Sequence, residues 1–188
     1  MVKWFLRSSM FIIMSASVSV FSFSLPQLFW PQKDITESEV NSPNLARKIL
    51  IASRAGAYKT ALVERIKQAF KDDSVYVKCI GLSQVSKENA DDYGAIVLIN
   101  TCMAWDWDRN VFKFLKSRKD ARGDARKDAR NVIVLTTSGS GDWVPNKKKW
   151  AVDAIASASA KSNIDGVSGE MVLKIKQILD SHPGGGAP

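Results

Sequence analysis

Short runs in which almost every position is apolar recur along the chain, and stretches with a helical period separate them. The runs are KILIAS at residues 48–53, VYVKCI at 75–80, AIVLINT at 95–101 and VIVLTT at 132–137. Runs that are apolar on both faces suit parallel strands buried between two layers. Between the first two runs, Leu62, Ile66 and Phe70 recur every four positions, flanked by Val63 and Ala69. That pattern predicts an amphipathic helix over residues 59–70. Val111, Phe112 and Leu115 predict a helix from near Asp108. Met171, Val172, Ile175, Ile178 and Leu179 predict a last helix from near Gly169. Residues 152–156 lie in an Ala/Ser-rich stretch of helical composition and are read as a fifth strand. Strand–helix alternation of this kind predicts an α/β fold, an open parallel sheet of about five strands with helices on both faces.

The ends of the chain break the pattern. Lys3 and Arg7 precede an apolar and serine stretch from Met10 to Phe23, and no acid occurs before Asp34. Residues 1–24 read as a secretory signal peptide, with an uncleaved membrane anchor as the alternative. Residues 25–46 are read as a linker, 47–180 as the folded domain and 181–188 as a flexible tail. Export changes what the charge means. The 188-residue chain carries +8 from 27 basic and 19 acidic residues, and without Lys3 and Arg7 the excess is 25 over 19, or +6. In an exported protein that excess suits an acidic partner protein, and within the basic run 113–130 the stretch 118–130 lacks the interleaved aromatics of a nucleic-acid surface. Contact with a membrane would come only through an uncleaved N-terminal segment.

Composition removes several chemistries. The single histidine, His182, lies in the tail, so Ser-His-Asp and Cys-His catalysis lack an imidazole inside the fold. Two cysteines cannot build a structural zinc site alone. Asp106 and Asp108 read as helix caps in preference to calcium ligands. No catalytic and no metal-ligating residue is expected.

Binding chemistry is expected in three loops at the carboxyl ends of the strands. The first, Ser53, Arg54, Ala55, Gly56, Ala57, Tyr58 and Thr60, leads into a helix N-terminus and can cradle an anion. It is not a Walker loop, because Tyr58 stands where a glycine would precede the lysine. The second loop holds Thr101, Cys102, Met103, Ala104 and Trp105. The third holds Thr137, Ser138, Gly139, Ser140, Gly141 and Trp143. Tryptophans on loops suit stacking on a planar ligand, and two free cysteines are expected despite export.

The run ILIASRAG at 49–56, the strand and helix of 93–115 and NVIVLTTSG at 131–139 together resemble the flavodoxin-like family over roughly residues 48–180. The resemblance implies a strand order of 2-1-3-4-5, non-covalent FMN and electron transfer as an FMN-dependent redox protein. It places the phosphate at residues 53–60 and the ring between the second and third loops. Ala55 and Tyr58 depart from the hydroxyl positions of the family's phosphate loop, and Arg54 is the expected compensating phosphate partner. Those departures keep a second reading open: a flavodoxin fold without flavin that serves as an interaction module in the envelope.

Overall fold

The computed structural model describes residues 32–103, 106–118, 129–141, 150 and 152–181. Six strands form one sheet. β1 is Ser38–Val40, β2 Arg47–Ser53, β3 Val75–Gly81, β4 Ala95–Thr101, β5 Val132–Ser138 and β6 Asp153–Ala158. Among the described residues the long helices are α1, Ala57–Ala69, α2, Arg109–Ser117, and α3, Ile164–Ser181. The strands lie in the order β1-β3-β2-β4-β5-β6, and all pairs are parallel except β1 with β3. The five parallel strands therefore follow the order 2-1-3-4-5, the flavodoxin-like arrangement.

Alternate residues of each strand feed two separate cores, as the pleat requires. Ile49, Ile51, Val77, Val97, Ile99 and Leu135 face α1 and α3, meeting Leu62, Ile66, Met171 and Ile175. Leu50, Ala52, Ile96, Leu98 and Val134 face α2 and the 3₁₀ turn Leu82–Lys87, meeting Val111, Phe114, Leu115, Leu82 and Val85. This is why the strand runs are apolar at every position.

Three expectations need correction. The region read as a linker contributes β1, whose Ser38 and Val40 pair with Cys79 and Val77. The unit carrying the sheet accordingly begins at Lys33, not at residue 47. A three-residue edge strand between Pro31 and Pro43 has too few positions to show a period. It is fixed by tertiary contacts: Asn41, at φ 66°, donates from Nδ2 to the carbonyls of Phe70 and Val75. The last helix starts at Ile164, before Gly166 and Gly169, and continues through Ser181, which was assigned to the tail. The signal segment 1–24, residues 182–188 and most of the basic run lie outside the described residues. Among the described residues, no helix is long and apolar enough to cross a membrane.

Cys79 on β3 and Cys102 beyond β4 are separated by β2. Two strand spacings, about 9.5 Å, exceed the reach of a disulfide. Burial pushes the Cys79 thiol up to about 11, so it stays protonated and inert. Thiol titration of the unreduced protein in denaturant is expected to give two free thiols. A count of zero would contradict the strand order.

Candidate functional site

The crevice at the carboxyl ends of β2 and β4 is where the sheet's connections diverge. The loop from β2 into α1 is tied down by its backbone. Arg54 N–H donates to the Ile99 carbonyl at 3.1 Å, Ala55 N–H to Lys33 at 2.7 Å, and Thr60 N–H to Gly56 at 2.8 Å. The chain before β1 thus lies along this loop, with a bridge between Asp34 and Arg54.

Arg54 does not serve as the expected phosphate partner. Its guanidinium donates from Nε to Asp108 Oδ2 and from Nη1 to Asp34 Oδ1, each at 2.8 Å. Burial disfavours the charge, but Asp108 and then Asp34 outweigh that and raise the guanidinium's pKa. Both carboxylates are themselves fixed. Asp34 Oδ2 accepts from the Ser83 hydroxyl and backbone. Asp108 caps α2 by accepting from Asn110 N–H at 2.8 Å, as read from the sequence. Asn100, fully buried, accepts from Asp108 N–H and donates to the Leu135 carbonyl. Arg54 therefore joins the N-terminal segment to α2, with its charge spent inside the protein.

A second cation at the loop is Lys59, outside the expected set. α1 begins at Ala57 behind Gly56, φ 148°, with no side-chain cap. The N–H groups of Ala57, Tyr58 and Lys59 therefore have no intrahelical acceptor. Lys59 is 9% exposed, and its ammonium crosses to β4 to donate to Thr101 Oγ1 at 2.8 Å. It forms no ion pair with a carboxylate among the described residues. Burial lowers its pKa first, and the charge of Arg54 lowers it further. A cation in the first turn also opposes the helix dipole. In the sequence its only mark is a lysine at the start of an amphipathic helix whose first turn has no acid, which does not separate it from Arg54.

The remaining expected residues divide into groups. Ser53 is fully buried, and its hydroxyl donates to the Arg54 carbonyl. The Tyr58 hydroxyl meets Ser157 Oγ at 2.8 Å on β6, so it also points away from the loop. Ala55 is partly buried, while Gly56, Ala57 and Thr60 are exposed at the helix start. Thr101, Cys102 and Met103 stay partly exposed beyond β4, and Cys102 N–H donates to the Thr137 carbonyl at 2.8 Å. Thr137 is buried and donates to the Asn100 carbonyl. Gly139 and Ser140 are exposed. Gly141, at φ 80°, donates to Ser138 Oγ, and a Cβ there would lie 2.5 Å from Ala158 N, so only glycine fits. Ala104, Trp105 and Trp143 lie outside the described residues. Trp107 is 1% exposed and packs with Phe112 in the α2 core, so it is not a stacking residue.

No family model matches the chain, and no curated protein does. Several solved structures are similar to it, three of which follow. A flavodoxin from the domain Archaea has 10% identity and a TM-score of 0.48 over 70% of this chain and 98% of that one. The Flv1 flavodiiron core from Synechocystis sp. PCC6803 has 11% identity and a TM-score of 0.47 over 73% and 37%. An oxidoreductase from Corynebacterium diphtheriae has 12% identity and a TM-score of 0.46 over 70% and 98%.

Proposed function

We propose that the chain binds FMN non-covalently across the carboxyl ends of β2, β4 and β5 and passes electrons to an acidic partner protein in an exported location. The observation that carries this reading is the Lys59 ammonium, buried without a counter-ion beside an uncapped helix N-terminus. Its donor set fits a phosphate monoester: the N–H groups of Ala57, Tyr58 and Lys59 together with Lys59 Nζ. FMN would supply the one- and two-electron chemistry. The chain's residues would hold the phosphate at α1 and border the ring with Thr101, Cys102 and Met103 on one side and 138–141 on the other. No side chain is needed as a general acid or base.

The reading without flavin is favoured by one observation. Ser53 and Tyr58, two of the loop's hydroxyls, are bonded internally, and Ala55 has none. That reading predicts an interaction module that takes up no flavin.

Titration of the protein with FMN and with riboflavin separates the two. FMN is expected to bind tighter by about 1–3 kcal/mol, the range of hydrogen bonds to a charged group. Gly56→Val puts a branched side chain at φ 148° and a Cβ 3.4 Å from Lys59 Nζ. It is expected to weaken FMN and leave riboflavin unchanged. Unchanged FMN affinity in Gly56→Val, with FMN still binding tighter than riboflavin, would put the phosphate elsewhere, and equal affinity for the two ligands would mean the phosphate is not held.

A further inference from the structure

We propose that the exposed face of α2 docks the acidic partner, a protein that lays a row of carboxylates along a stripe formed by Arg109, Lys113 and Lys116. This deepens the function proposed above and rests on its acidic partner, but it does not require bound flavin.

The stripe follows from helical geometry. Positions i, i+4 and i+7 fall within about 60° of one another at 3.6 residues per turn. Arg109, Lys113 and Lys116 occupy those positions, and all three are exposed. Val111, Phe114 and Leu115, on the opposite side of the helix, are buried in the core beneath it. None of the three cations has an ion pair or a side-chain hydrogen bond among the described residues. The other two long helices are laced with such pairs. α1 joins Arg65 to Asp165 and Lys67 to Glu64, and α3 joins Lys174 to Asp153 and Lys176 to Asp73. α2 itself, RNVFKFLKS, contains no acid. Arg118, one residue past its end, turns away from the stripe: its guanidinium lies 3.6 Å from Asp91 and over the Phe114 ring.

The stripe starts at the crevice. α2 follows the second loop, and its cap Asp108 is tied to Arg54 at the end of β2. Arg109 therefore stands beside the carboxyl ends of the strands, and Lys116 lies about 10.5 Å further along the axis. A partner seated on the stripe has one edge next to Thr101–Met103, where electrons would leave the site.

The same face suits a protein better than a lipid surface or a duplex. Lipid insertion needs apolar side chains beside the cations, and those of α2 are turned inward. Among the described residues the exposed large apolar side chain, Leu173, is on α3. Tight duplex binding with a steep salt dependence uses about six to ten phosphate contacts, and the stripe offers three cations. Three cations in one row match carboxylates repeated at the same spacing on a partner's surface.

The test uses a labelled synthetic helical peptide with Glu at three- and four-residue intervals along one face. It is titrated into the full-length protein at about 0.01 M ionic strength, where the Debye length is about 30 Å. Amide shift changes are expected to concentrate on residues 109–117. Arg109→Glu, Lys113→Glu and Lys116→Glu together are expected to weaken the peptide about ten-fold or more, the sum of three exposed pairs. Gln at the same three positions should give a smaller loss in the same direction. Lys71→Glu, Lys87→Glu and Lys161→Glu together make the same change in net charge at other exposed lysines. They are expected to cost less than about three-fold, through long-range field alone. Equal losses in the two triple variants, or shift changes away from α2, overturn the proposal. A short DNA duplex or vesicles of anionic phosphatidylglycerol that bind this face more tightly than the peptide overturn the protein partner. FMN uptake by the stripe variant is expected to match wild type, since none of its residues borders the loop of Lys59. Normal FMN uptake with no peptide on α2 removes only this proposal. Peptide on α2 with no FMN uptake leaves the docking surface standing and removes the flavin.

Discussion

Arg54→Ala is expected to lower stability by about 3 kcal/mol, the lower end of the range for removing one partner of a buried pair. In a domain of this size that is a drop of roughly 6–12 °C in Tm. The lower end applies because Asp34 keeps 23% of its side chain exposed, although Asp108 keeps only 10%. Without the guanidinium, two carboxylates face each other with neither neutralised. The segment at Lys33–Ile35 then loses its main side-chain tie to the β2–α1 loop. Arg54→Lys is expected to recover only part of the loss, because one ammonium cannot reproduce two bonds made from different nitrogens. Asp34→Asn in the Arg54→Ala background is expected to cost less than Asp34→Asn alone. Hydrogen exchange should quicken around residues 33–35 and at Ser83. A melting temperature for Arg54→Ala within a degree or two of wild type would show that this bridge does not hold the segment.

Lys59→Met is expected to move stability and binding in opposite directions. Replacing a buried, unpaired ammonium with a thioether of similar length removes a desolvation cost, a gain of about 1 kcal/mol. The same change removes the charged donor from the loop and weakens FMN by about 2–3 kcal/mol. The pH dependence has a definite sign. The folded-state pKa of Lys59 lies below the ordinary 10.5. Its penalty is therefore fully present below the folded pKa and is relieved as pH rises from there toward 10.5. Urea titrations should show the stability gap between Lys59→Met and wild type narrowing through that window. FMN affinity of the wild type should fall over the same range, and that of Lys59→Met should not follow it. A Lys59→Met protein that is less stable than wild type at neutral pH would make the lysine a structural residue.

The parallel core was legible because each of its strands is buried on both faces. Ile49 with Leu50, or Val97 with Leu98, leaves no polar alternation to mislead. β1 was not legible, since Ser38, Glu39 and Val40 carry no pattern of their own and depend on β3 and Asn41 for their place. The site was half legible. Its expected position follows from topology, and Gly56 and Gly141 both adopt a positive φ that favours glycine. The choice between Arg54 and Lys59 was not readable, because it depends on which carboxylates lie within reach. Asp34 is twenty residues before Arg54 and Asp108 is fifty-four after it. Only the fold brings both to one guanidinium and leaves Lys59 without either. Trp107 shows the same effect: it is close in sequence to the second loop but turns into the α2 core.

The central claim is that the uncapped start of α1, with Lys59, holds the phosphate of FMN. The most direct measurement is the absorption spectrum of the protein purified from its own compartment, followed by identification of any flavin released on denaturation. The account predicts visible flavin bands, FMN as the released species, and loss of the bound flavin from Lys59→Met purified in the same way. Protein that is colourless as isolated and also takes up no FMN when it is added would contradict it.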